Sequence, residues 1–187
     1  MIRRIIDQKL TSKTIKKLLI SSSIFFFILM IAVHYAFSLS NYPVSFMESQ
    51  LSFSGEVIKS HYATMNSHEI QIYKYAQLID YGYLISYGLF IFSLSLYLGK
   101  RFKKTSPIQK SSHMIATAGI TAAICDAIEN AFILLMVSQP HTFNDIYAII
   151  HSFFASIKFA LLALSIIWII IITLIVLISK LNQKRPH

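Results

Sequence analysis

Four long runs of apolar residues, separated by polar segments, dominate the pattern along the chain. A helix needs about 20 mostly apolar residues to cross the hydrocarbon core of a bilayer, and each of these runs is long enough. The sequence therefore predicts an all-α protein, an integral membrane four-helix bundle. The predicted spans are residues 18–40, 76–99, 113–137 and 145–179.

The segments between the spans differ sharply in their basic residues. Among the 17 lysines and arginines, only Lys59 and Lys74 lie in the segments predicted to be outside, and Lys158 lies within the fourth span. By the positive-inside rule, this asymmetry predicts that the N and C termini are both cytoplasmic. The basic cytoplasmic segments are then residues 1–17, 100–112 and 180–187, and the outer segments are residues 41–75 and 138–144.

Weaker signals predict the local structure of the connections. Partial helical periodicity over residues 47–65 predicts one or two short helices at the membrane surface. Ser67 is the expected N-cap of a long helix that begins near His68, with Glu69 in its first turn. Pro107 predicts a break between the second and third spans.

The first apolar run has a second interpretation. A basic segment, an apolar core and the small-residue site Ala36-Phe37-Ser38 together resemble a cleaved signal peptide. The apolar core, residues 18–33, is long for such a peptide, and its length favours an uncleaved membrane anchor.

Composition agrees with a membrane protein. The chain is 55% hydrophobic and 13% charged, against about 25% charged residues in typical soluble domains. The net charge of +9 raises nucleic-acid binding as a class, but the bases flank the spans and no recognition motif accompanies them. The single cysteine, Cys125, excludes an internal disulfide framework. Abundant Ile, Ser and Lys are typical of an AT-rich bacterial genome, so we expect the bacterial cytoplasmic (inner) membrane.

Polar residues inside the spans are the main candidates for function. A charged residue at the bilayer centre costs about 2.5–3.5 kcal/mol on insertion scales, so such residues normally face a partner, a cavity or a ligand. At 1.5 Å per residue, the strongly polar groups of the four spans, including His34 of the first, all fall in the outer half of the bundle. We expect them to share one layer, formed by Asp80, Asp126, Glu129, Asn130 and Lys158.

Helical spacing also predicts which faces meet. On the third span, a seam with alternating spacings of three and four contains Ala116, Gly119, Ala123, Asp126, Asn130, Ile133 and Val137. Small residues on such a seam allow a neighbouring backbone to approach closely. On the second span the polar and aromatic stripe consists of Gln77, Asp80, Tyr83 and Tyr87, and on the fourth His151 and Lys158 share a face.

The charges of the predicted layer do not balance. Three carboxylates, of Asp80, Asp126 and Glu129, accompany one lysine, Lys158. In a medium of low dielectric, this predicts that at least one acid is protonated, shares a proton or meets a cation. Asp126 and Glu129, three residues apart on one helix, are the expected proton-sharing pair.

Three classes of function remain open from the residues. In the first, the layer binds a lipid or small amphiphile through Asp80, Tyr83, Tyr87, Asp126, Glu129, Asn130 and Lys158. In the second, the protein is a membrane-embedded acid/base enzyme with Asp126 or Glu129 as the catalytic candidate. In the third, the layer only fixes helix register in a structural or partner-binding subunit. The sequence shows no Gly-rich phosphate loop and no His/Cys ligand spacing, so we expect no cofactor.

Metal binding is a lesser alternative. The carboxylates of the predicted layer are the ligand type that a hard cation prefers. His61 and His68 lie in the outer segment and are more typical of solvated histidines than of a metal site. We therefore expect no metal. The sequence leaves the oligomeric state open.

The order of these polar residues resembles a group of small bacterial four-span membrane proteins. In that group an acid in the second helix, D-x-x-E-N in the third and K-[WF] in the fourth recur, as Asp80, Asp126–Asn130 and Lys158-Phe159 do in this chain. The resemblance covers roughly residues 45–170 and implies that these polar residues belong together. It supplies no reaction. The EXPERA group of sterol-binding and sterol-isomerising proteins is similar in size and also has acids within a four-helix bundle, but no residue role carries over from it.

Overall fold

The computed structural model describes residues 10–183, without the side chain of Gln183, and these residues are helical apart from short connections. Four helices are long and apolar enough to cross a membrane, and they form a bundle, which confirms the predicted fold class. The long helices are α1 (Ser12–Leu39), α4 (Ser67–Gly99), α5 (Pro107–Ser138) and α6 (Ile146–Gln183). Two short helices, α2 (Phe46–Gln50) and α3 (Gly55–Ala63), lie between α1 and α4.

Four helices, α1, α2, α3 and α5, each follow a residue whose side chain caps them. Thr11, Ser45, Ser54 and Ser106 each accept a hydrogen bond from the backbone N–H three residues on. Such caps satisfy N–H groups that have no partner within the helix. The caps allow α1 and α5 to start about six residues before the predicted apolar spans, so that basic residues occupy the first turns of α1.

One local prediction is wrong by a single residue. The cap of α4 is Asn66, not Ser67, because Asn66 accepts from two backbone N–H groups while Glu69 accepts from the Asn66 N–H in return. The predicted break between the second and third spans is present, since residues 100–106 separate α4 from α5 and Pro107 begins α5. Pro107 occupies the first turn of α5, where its missing N–H costs nothing.

The bundle is an open row of helices. α4 packs against α1 on one side and α5 on the other, and α6 packs against α5. Within the described residues, α1 and α6 make no extensive contact with each other, so the row does not close into a ring. A cleft therefore runs between the two outermost helices.

Glycines allow a close approach between α4 and α5. A Cβ atom added to Gly119 would lie 2.5 Å from Cγ2 of Ile91, and one added to Gly88 would lie 2.8 Å from Cβ of Ala123. Glycine at both positions lets the two backbones approach, as is common between membrane helices. All seven seam residues predicted on this helix are buried, including the polar Asp126 and Asn130.

Helices α2 and α3 cover one end of the bundle, which we call the capped end. Ile58 and Tyr62 of α3 join a buried cluster with Tyr73 of α4 and with Phe143, which lies between α5 and α6. Phe53, between the two short helices, has a φ of 51°, an unusual value for a bulky side chain. Its backbone N–H donates to Oγ of Ser152 in α6 at 3.1 Å, which ties the cap to the bundle.

Candidate functional site

The polar layer is a real cluster in the structure, and Lys158 lies at its centre. Its Nζ atom is 2.6 Å from Oε2 of Glu129 and 3.1 Å from Oδ1 of Asp126. It also donates to Oε1 of Gln50 at 3.4 Å. At 1.5 Å per residue, Lys158 lies about 18 Å from the capped end of its helix.

Each neighbour of Lys158 has further partners. The second carboxylate oxygen of Asp126 accepts a hydrogen bond from the hydroxyl of Tyr87 at 2.9 Å. Nε2 of His151 lies 3.7 Å from Oε1 of Glu129, on the side away from Lys158. The predicted proton-sharing pair is therefore bridged by an ammonium, because Lys158 contacts both Asp126 and Glu129.

Asp80 belongs to a separate pair. Its Oδ2 atom accepts a hydrogen bond from the side-chain amide of Asn130 at 2.6 Å. Asn130, which lies on α5, is 1% exposed, so its side chain in this hydrogen bond is buried. The sequence predicts one shared layer, and the structure resolves it into two units. One is the Lys158 network and the other is the Asp80–Asn130 pair.

A cavity of about 600 Å³ is lined by residues of both units, the Lys158 network and the Asp80–Asn130 pair. It occupies the cleft between α1 and α6, and α4 and α5 form its floor. Ligand pockets in proteins commonly have volumes of about 300–1,000 Å³ and mostly apolar walls. The apolar walls here come from Phe26, Met30, Val33, Phe37, Phe46, Phe90, Ile91, Leu94, Phe159, Leu162, Ile166, Ile169 and Ile170.

Six of the seven candidate binding residues line this cavity. They are Asp80, Tyr83, Tyr87, Asp126, Asn130 and Lys158. Glu129 is the exception, since it is fully buried between Lys158 and His151 and does not reach the cavity wall. Of the two catalytic candidates, only Asp126 therefore faces the space where a ligand would lie.

Sequence reasoning missed part of the lining. Gln50 of α2 contributes a polar group, and α1 supplies much of one wall. His34 of α1, which the sequence predicts to lie in the outer half, also lines the cavity. Gln50 lies 108 residues before Lys158, and nothing in the spacing of an outer segment indicates such a contact. The polar stripe of α4 did place Gln77 beside Asp80, and Gln77 does line the cavity.

No family model, curated protein or solved structure matches the chain. Within residues 10–183, no group of three or more His, Cys, Asp or Glu side chains could hold a metal ion. Asp126 and Glu129, considered above as ligands of a hard cation, instead bind the ammonium of Lys158. His61 is another residue considered above as a metal ligand. Its Nδ1 atom lies 3.3 Å from the hydroxyl oxygen of Tyr42.

Proposed function

We propose that the protein binds a lipid or small amphiphile in the cleft between α1 and α6. The observation that carries this proposal is a single cavity of about 600 Å³ with a polar floor and apolar walls. An amphiphile has the same division, so its head group would lie on the polar floor and its hydrocarbon chain along the apolar walls.

The arrangement of helices supports entry from the bilayer. Because α1 and α6 are not packed against each other, the cleft opens sideways to the space that lipid would fill. Phe46 and Gln50 of α2 lie over the cavity at the capped end. A hydrocarbon chain entering from the side need not cross a polar surface.

We also propose that the protein resides in the bacterial cytoplasmic membrane with both termini in the cytoplasm. The positions of lysine and arginine support this orientation. The capped end then faces away from the cytoplasm, and the polar floor lies in the outer half of the membrane. The resemblance to small bacterial four-span proteins agrees with this location.

The test uses bulky substitutions on the cleft wall and matched neighbours that face away from it. Met30 lines the cavity, whereas Ile31, the next residue, is 66% exposed and does not. On α6, Ile166 lines the cavity and Ile167 does not. We therefore choose Met30→Trp and Ile166→Trp as cleft-filling variants, with Ile31→Trp and Ile167→Trp as controls.

Native mass spectrometry of gently extracted protein measures what each variant retains. We expect wild type and both controls to carry a small amphiphile, and both cleft-filling variants to lose it. An amphiphile that remains bound to Met30→Trp and Ile166→Trp, or none bound to wild type, would refute the proposal. A purely structural polar layer predicts the second of these results.

A further inference from the structure

The charges on the floor of the cleft indicate which kind of head group it accepts. Among residues 10–183, Lys158 is the only lysine or arginine whose side chain lines the cavity. Its ammonium is already engaged by Asp126, Glu129 and Gln50. An anionic head group would have to compete with two buried carboxylates for this cation, at short range and in low dielectric.

Asp80 is in the opposite situation. It lines the cavity, and its hydrogen-bond partner is the neutral amide of Asn130. Within residues 10–183, no lysine, arginine or histidine forms an ion pair with it, and the Lys158 ammonium acts on it only from a greater distance. An ionised carboxylate in such a site is costly unless a positive group accompanies it.

A second acceptor lies one helical turn from Asp80 on the same face of α4. Gln77 is 2% exposed and lines the same cavity. Its side-chain oxygen, Oε1, has no hydrogen-bond partner among the residues that the structure describes. Buried polar atoms are nearly always hydrogen-bonded, so an unpaired acceptor at a cavity wall indicates a ligand that donates.

From these contacts we propose that the cleft selects amphiphiles with a protonated amine head group, which donates hydrogen bonds to Asp80 and Gln77. This inference rests on the proposed function, since it names the ligand class of the same cleft. An ammonium supplies a positive group in direct contact with Asp80 and N–H donors for both acceptors. A carboxylate or phosphate head group supplies neither.

Four probes with the same hydrocarbon chain separate charge from hydrogen bonding. Dodecylamine is protonated at neutral pH, as lysine is. Dodecanol has a hydroxyl donor without charge, dodecanoate is an anion, and dodecyltrimethylammonium has a charge without N–H donors. Occupancy of each probe is measured by native mass spectrometry on the full chain, below the micellar concentration of the probe.

We expect dodecylamine to bind at least about tenfold more tightly than dodecanol or dodecanoate, because hydrogen bonds between charged groups are stronger than those between neutral groups. Dodecyltrimethylammonium should bind more weakly than dodecylamine.

Variants of the two acceptors test which residues hold the amine. Asp80→Asn keeps the size of the side chain and should reduce the affinity for dodecylamine to that for dodecanol. Gln77→Leu should lower the affinity for dodecylamine without changing the affinity for dodecanoate. Glu56→Gln, at an exposed position on α3, is the matched control and should change nothing.

The outcomes separate the two proposals. If all four probes bind equally to wild type and are lost in Met30→Trp, the cleft binds amphiphiles and the preference for amines is refuted. Tighter binding of dodecanoate would also refute it, and would assign the head group to Lys158. If no probe binds at all, the proposed function itself fails.

Discussion

Nζ of Lys158 lies 2.6 Å from Oε2 of Glu129, and the Glu129 side chain has no exposed surface. Glu129 can therefore be ionised only if Lys158 stays beside it, since there is no solvent to stabilise the charge. Asp126 shares the same lysine at 3.1 Å. The three side chains come from two helices and fix the register of α5 against α6.

Removing Lys158 should be strongly destabilising. In Lys158→Met, two buried carboxylates lose their cation, and breaking a buried ion pair in this way typically costs about 3–5 kcal/mol. The free energy of unfolding in detergent, measured by SDS titration, should fall accordingly. Adding Glu129→Gln to Lys158→Met should restore part of the loss, because one unpaired charge is removed.

The matched control is Lys59→Met at the capped end. Lys59 forms an ion pair with Asp145 at 2.7 Å, but the Asp145 side chain is 59% exposed. Exposed pairs contribute about 0–1 kcal/mol, so this variant should unfold almost as wild type does. Equal losses in Lys158→Met and Lys59→Met would show that burial does not set the strength of the central pair.

The glycine at the α4–α5 crossing should not tolerate a side chain. Gly119→Leu places atoms where Ile91 already lies, and overpacking of this kind typically costs about 1–3 kcal/mol. Thermal melting in detergent is the measurement. Ala131→Leu, at an exposed position on the same helix, should leave the melting temperature nearly unchanged. A stable Gly119→Leu would mean that the helices are farther apart than described.

The orientation of the protein can be tested with two exposed threonines on opposite ends of the bundle. Thr142 follows α5 and Thr105 precedes it, and neither is buried. In a Cys125→Ala background, Thr142→Cys should react with a membrane-impermeant maleimide on intact cells. Thr105→Cys should react only after the membrane is permeabilised. The reverse pattern would contradict cytoplasmic termini.

Alkaline pH should loosen the capped end through Tyr42, which lies outside the spans. Burial raises the pKa of Tyr42 to about 12 from its ordinary value of 10.0, although the hydrogen bond with Ser49 opposes the shift. Between these two values the folded state holds a proton that the unfolded state releases. Stability is therefore complete below pH 10 and falls as pH rises towards 12.

Limited proteolysis of residues 41–66 at pH 9 and pH 11 measures this effect. Wild type should become more sensitive to the protease at pH 11. For each unit by which the pKa of Tyr42 differs between the folded and unfolded states, the equilibrium constant for opening should rise by up to about tenfold. Tyr42→Phe cannot ionise, so its sensitivity should change less between the two pH values. The same increase in both proteins would place the effect elsewhere.

The sequence by itself determined the four helices, because a bilayer requires about 20 apolar residues in each span and the chain supplies them in four runs. It also determined which face of α5 is buried, since Asp126 and Asn130 fall on a seam of small residues with helical spacing. Even the set of polar residues that would cluster was predictable, because charges inside a span must meet partners.

Only the tertiary structure decided how those residues pair. Periodicity fixes the face of a helix but not the rotation and depth of one helix against the next, so it could not assign Lys158 to Asp126 and Glu129 or Asn130 to Asp80. It also could not show that α1 and α6 stay apart and leave a cleft, or that Gln50 reaches Lys158 from the outer segment. Those contacts depend on packing between residues far apart in the chain, which no local pattern encodes.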